Sequence, residues 1–167
     1  MINVVIGNII ALVASIIMVA SGYMTSKQKT LFWQTVQIAL NSISCFFLLA
    51  FSGGIVNTLS IPRNILAYKN KLNLPVKVVI WLLTVTLSIK FNTNGWIGYL
   101  PIISTTVYIF LMDKLKDSKF KALIIFTLVL WGIHDVCVQN YVQFAFDMAC
   151  IVTSAIAIFK IQDARGA

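Results

Sequence analysis

Apolar residues run along this chain in long stretches, and short polar breaks separate them. A helix needs about 20 mostly apolar residues to cross a bilayer, within a range of about 17–25. Seven stretches come near that length. The pattern predicts helices over Asn3–Tyr23, Phe32–Phe51, Gly54–Lys69, Val76–Phe91, Trp96–Met112, Phe120–Val136 and Tyr141–Ile161. The third is short and carries Pro62 and Arg63; the fifth contains Pro101. Ser52-Gly53-Gly54, Asn92–Gly95 and Val138–Asn140 leave room only for tight hairpins. Backbone groups in lipid must be satisfied internally, so helices are the element expected for runs this apolar. The expected fold class is all-α: a polytopic membrane protein of seven transmembrane helices in one membrane domain, 1–167.

Charge then orients the bundle. The connections after helices two, four and six share their side with the amino terminus and hold a single basic residue, Lys90. The other side holds Lys27, Lys29, Lys69, Lys71, Lys77, Lys114, Lys116, Lys119, Lys121, Lys160 and Arg165. Lys and Arg are retained in the cytoplasm. The amino terminus is therefore expected outside the inner (plasma) membrane and the carboxy terminus in the cytoplasm. Lys27 and Lys29 follow the first stretch and no basic region precedes it, so it reads as a retained helix and not a signal peptide.

An internal repeat is visible at an offset near ninety residues. Gly7 matches Gly98, Ser26-Lys27 matches Ser118-Lys119, Asn57 falls opposite Asp147, and Lys69 opposite Lys160. The chain divides into a three-helix unit over 3–69, a linker helix over 76–91 and a second unit over 96–161. An odd helix between two triplets makes both point the same way, a parallel repeat about the membrane normal. The alternative is a seven-helix bundle whose halves share only their hydropathy.

Composition agrees with lipid as the solvent. The 167 residues are 59% hydrophobic and 11% charged, against about 45–50% and about 25% in soluble domains. The net charge of +8 does not indicate nucleic acid, because the lysines lie between apolar runs and not in one stripe. Cys45, Cys137 and Cys150 have no metal-ligand spacing. With one His and no nucleophile elbow or phosphate loop, neither a metal cage, a cofactor nor an enzymatic activity is expected.

Polar residues inside membrane spans are costly and tend to face the bundle interior. Gln34, Gln37, Asn41 and Ser44 share one face of helix two; Gln143, Asp147 and Ser154 share one face of helix seven; Asn57, Ser60 and Asn64 accompany Arg63 on helix three. These stripes converge if they face inward, as cavity lining or as interhelical glue. Arg63, deep in its helix, would pair Asp147, grip an anionic group or snorkel to the cytoplasmic face. Trp131, His134 and Asp135 share a face near the outer end of helix six, where a His–carboxylate pair could relay protons. Pro62 and Pro101 are expected to break helices three and five and to serve as hinges or static bends.

Phe46-Phe47-Leu48-Leu49 leading to Asn57 and Arg63, then Gly98-Tyr99-Leu100-Pro101-Ile102-Ile103-Ser104-Thr105, then Trp131-Gly132-Ile133-His134-Asp135, resemble the YgjV-type bacterial inner-membrane protein family. Asp135 stands where that family carries Asn. The layout is similar to the SWEET, PQ-loop and PnuC-like carriers, although no clear Pro-Gln motif is present; the resemblance implies a three-one-three design that moves sugars, amino acids or vitamins. The expectation is a small carrier for a polar metabolite, working by alternating access. Asn41, Asn57, Ser60, Arg63, Tyr108, Trp131, His134, Asp135 and Asp147 would line its site, and Pro62 and Pro101 would hinge it. Its partners would be the lipid bilayer, a small polar or anionic metabolite and, in a homo-oligomer, further copies of itself. A membrane accessory subunit or sensor is the rival expectation.

Overall fold

The computed structural model describes residues 2–48, 51–92, 95–137 and 140–166. Among them are seven α-helices: α1 (Ile2–Gly22), α2 (Lys27–Phe47), α3 (Phe51–Tyr68), α4 (Leu74–Lys90), α5 (Tyr99–Leu111), α6 (Asp117–Cys137) and α7 (Tyr141–Gly166). A 3-10 turn, Gly95–Gly98, leads into α5. No strand occurs among the described residues. The chain is an all-helical membrane protein, as its hydropathy predicts. By length and composition alone, Ile2–Gly22, Asp117–Cys137 and Tyr141–Ala164 are apolar enough to cross a membrane. The other helices fall short of this because α2 and α3 carry their polar stripes and α4 and α5 are shorter.

Several boundaries differ from expectation. α2 begins at Lys27, five residues ahead of Phe32, so Lys27 and Lys29 lie in its first turn and not in a connection. Ser52-Gly53-Gly54 is not a hairpin but part of α3. With no water to compete for the backbone, glycine's helix penalty is outweighed by close packing. A Cβ on Gly54 would lie 3.3 Å from the Cys45 Cβ, and the Gly54 carbonyl accepts from the Ser42 hydroxyl at 3.2 Å. The expected connections at Asn92–Gly95 and Val138–Asn140 fall partly outside the described residues, as does the Arg165 side chain.

The proline positions also differ from a simple break. α3 continues through Pro62, which removes a donor without ending the helix. Pro101 is the third residue of α5, in the first turn where a missing N–H costs nothing. Local chemistry sets other ends. Asn70, at φ 53°, closes α3: its N–H reaches the Ala67 carbonyl at 3.1 Å and the Lys71 N–H reaches Leu66 at 2.8 Å, a Schellman pairing. Asn73 caps α4 by accepting from the Val76 N–H at 3.2 Å, with Pro75 in the first turn.

The helices form a ring in chain order. Each packs on its neighbours in sequence, α7 closes on α1, and α2 touches α6 across the middle. In lipid, burial of apolar surface does not drive helix association; close packing and hydrogen bonds do. α1 shows this with a stripe of small buried residues at Gly7, Ala14, Ser21 and Gly22. At the α1–α7 seam the Thr153 hydroxyl donates to the Val19 carbonyl at 3.0 Å and the Cys150 thiol to Met18 at 3.4 Å. The outward faces are apolar, and Trp96, Tyr99 and Tyr141 stand exposed at the end holding the amino terminus, where interfacial aromatics are favoured.

The opposite, lysine-rich end is sealed. Leu31, Ala67, Leu72, Tyr108, Met112, Phe120, Leu123 and Ile124 form one buried cluster there. Polar locks surround it. Lys121 of α6 is 1% exposed and donates to the Ser21 and Gly22 carbonyls at the end of α1, both at 2.8 Å. Lys27 of α2 donates to the Leu115 and Asp113 carbonyls beyond α5 at 2.9 and 3.2 Å. Each early lysine thus caps the helix that precedes its counterpart. Lys77 of α4, also buried, pairs with Asp113 at 2.6 Å.

Candidate functional site

A cavity of about 560 Å³ occupies the middle of the ring. Every helix contributes to its wall, from Met18 on α1 to Cys150 on α7. It reaches the end holding the amino terminus at Phe91, Asn92, Gly98 and Asn140, and stops toward the lysine-rich end at Gln34, Arg63, Tyr108 and Ile124. The apolar cluster closes the bundle beyond that floor.

Asn41, Asn57, Ser60, Arg63, Tyr108, Trp131, His134, Asp135 and Asp147 all face this one cavity, and Pro101 lies in its wall. Pro62 does not; it is exposed on the outside of α3. The polar stripe of α2 divides: Gln34, Gln37 and Asn41 line the cavity, whereas Ser44 donates to the Gly7 carbonyl at 2.8 Å and serves as glue between α1 and α2. Ser154 of α7 is likewise outside the wall, fully buried.

The floor is cationic and aromatic. The Arg63 guanidinium stacks 4.9 Å from the centre of the Tyr108 ring, and its Nε–H donates to Asn64 Oδ1 at 3.1 Å. The Tyr108 hydroxyl donates to Gln34 Oε1 at 2.8 Å, joining α5 to α2. Arg63 is 7% exposed and pairs with no carboxylate among the described residues. The expected Arg63–Asp147 contact is therefore not formed. Burying an Arg this deep costs at least about 2.5–3.5 kcal/mol on insertion scales; ring stacking and the Asn64 bond offset part of it.

The upper wall is acidic. His134 Nδ1 lies 3.2 Å from Asp135 Oδ1, and Gln143 Nε2 donates to Asp147 Oδ1 at 3.0 Å. Asp135 and Asp147 are each 2% exposed and close enough for their carboxyls to interact. Asp135 Oδ2 is buried without a hydrogen-bond partner among the described residues. The Trp131 ring meets His134 edge-on at 5.7 Å. Among the described residues no group of three metal-ligating side chains forms. Chemically, the cavity offers a cation and amides at one end and two carboxyls, an imidazole and an indole at the other.

Sequence reasoning did not single out Ser88, Thr105 or Asn140 as part of the wall, whereas Gln143, read on one face with Asp147, does line it. The spacing of Pro101, Thr105 and Tyr108, one helical face, was the available signal. Lys121 was missed altogether as a structural residue, because a lysine near a helix end reads as solvated charge.

The family Imp-YgjV, described as bacterial inner membrane protein, matches residues 5–165. No curated protein and no solved structure matches the chain. The chain belongs to this bacterial inner membrane protein family.

Proposed function

We propose that this member of the bacterial inner membrane protein family is a small carrier for a polar metabolite and not an enzyme. The observation that carries the reading is the central cavity: polar and charged groups from all parts of the ring face one space that ends blindly on an apolar seal. Ligand pockets are commonly about 300–1,000 Å³, and the 560 Å³ here falls within that range. A bundle built only for packing would pair its polar groups and close the space.

In this reading the lysine-rich end is cytoplasmic and the conformation faces outward. Two like-oriented triplets, α1–α3 and α5–α7, rock about the axis where α2 meets α6, and α4 links them, in a layout like that of the SWEET-type carriers. The reciprocal lysine caps support the repeat: Lys27 and Lys121 stand near the offset seen in the sequence, and each holds the other hairpin. Reaching an inward-facing state requires the cluster around Phe120 and the Lys77–Asp113 pair to separate. Uptake of labelled polar metabolites into proteoliposomes, compared with Arg63→Ala, tests the reading. Saturable uptake lost in the variant supports it; wild-type flux equal to that of empty liposomes for every compound would overturn it.

A further inference from the structure

We infer that the ligand of this cavity is a zwitterion whose ammonium and carboxylate are separated by several bonds. The inference rests on the carrier site proposed above and names its substrate class.

A guanidinium at one end and two neighbouring carboxyls at the other face the same space. Arg63 has no acidic partner, and neither Asp135 nor Asp147 has a Lys or Arg partner, among the described residues. All three are buried, and buried charges persist when something pairs them. His134 Nδ1 meets Asp135 at Oδ1, which leaves Asp135 Oδ2 without a hydrogen-bond partner among the described residues. A ligand ammonium would donate to that oxygen and to Asp147, with Trp131 as a cation–π face. A ligand carboxylate would accept from Arg63, whose guanidinium presents a planar fork.

Helix geometry sets the spacing. α3 and α7 both start at the end holding the amino terminus. Arg63 lies about 18 Å along α3 and Asp147 about 9 Å along α7 at about 1.5 Å per residue. The offset of about 9 Å shortens as the Arg side chain leans toward the start of its helix. An ω-amino acid with an intermediate chain has the reach to bridge this axial offset together with the width of the cavity between α3 and α7; an α-amino acid with a neutral side chain, whose two charged groups hang from one carbon, has less.

The test uses the full chain in lipid nanodiscs and reads ligand binding by thermal shift and by quenching of tryptophan fluorescence. Probes are β-alanine, γ-aminobutyrate and 6-aminohexanoate, with 6-aminohexanol, 6-hydroxyhexanoate and 1,6-hexanediol as partners lacking one or both charges. The expected result is 6-aminohexanoate binding about tenfold or more tighter than either singly charged analogue. Arg63→Lys weakens the carboxylate-bearing probes selectively, and Asp147→Asn the ammonium-bearing ones. Both substitutions are small enough to test folding separately, by melting without ligand. Equal binding of the diol and the zwitterion, or no binding by any probe, would overturn the inference. Flux of a neutral metabolite without zwitterion binding would sink the substrate class and leave the carrier. Zwitterion binding without flux would do the reverse.

Discussion

Replacing Lys121 by Met keeps the length of the side chain and removes its three donors. In the wild-type chain the ammonium makes two bonds of 2.8 Å to the Ser21 and Gly22 carbonyls at the end of α1. Hydrogen bonds to a charged group contribute about 1.5–3 kcal/mol each, so about 3–6 kcal/mol of interaction is lost. The substitution also removes the several kcal/mol spent on dehydrating a buried ammonium. The expected net loss is about 1–3 kcal/mol, because the Gly22 carbonyl loses its lysine donor beside the Met and the Ser21 carbonyl keeps only the Met24 N–H at 3.2 Å. Lys119→Met, at an exposed position of the same helix, is the matched control and should cost under about 0.5 kcal/mol. Unfolding in mixed micelles, followed by intrinsic fluorescence, measures both. Equal stability of Lys121→Met and the wild-type chain, or an equal loss in Lys119→Met, would refute the capping argument.

Further outcomes follow from other contacts. Gly22→Ala places a Cβ against the Thr153 side chain and should destabilise by about 1–3 kcal/mol; adding Thr153→Ala should recover much of that in a double-mutant cycle of melting curves. Asp113→Asn leaves the buried Lys77 ammonium without its anion and should lower stability by about 1–3 kcal/mol, with the loss largely absent in the Lys77→Met background. A green fluorescent protein fused after Ala167 should fluoresce and an alkaline phosphatase there should stay inactive; active phosphatase would reverse the proposed orientation. A thiol reagent applied to single-cysteine variants should label a cysteine placed at Asn140 faster than one at Leu31, since the first lines the cavity rim and the second lies within the seal.

The spans were readable because a bilayer imposes one length scale on apolar runs; seven stretches come near it, and three of the resulting helices meet it by length and composition alone. The site residues were readable for a related reason: polar side chains inside such runs have one sheltered direction, so Asn41, Asn57, Arg63 and Asp147 converge. What stayed hidden depends on pairwise geometry. Gly53-Gly54 looks like a turn until Cys45 is found pressed against Gly54. Lys27, Lys77 and Lys121 look like solvated cytoplasmic charge, yet each is tied to a partner more than thirty residues away. Hydropathy carries no information about such partners. The same holds for Ser44, which shares a stripe with cavity residues but bonds to α1 instead, and for Ser154, which is fully buried outside the cavity wall.

The closure of α7 on α1 bears on how the protein is made. Met18 and Val19 leave the ribosome well before Cys150 and Thr153, their partners 132 and 134 residues downstream. During synthesis the small-residue stripe of the first helix therefore meets only lipid or the insertion machinery. A chain stalled before Tyr141 would hold six helices with an open flank, and its first helix would offer an unfilled groove to membrane proteases. Completion of the circle would then mark a finished molecule for the cell.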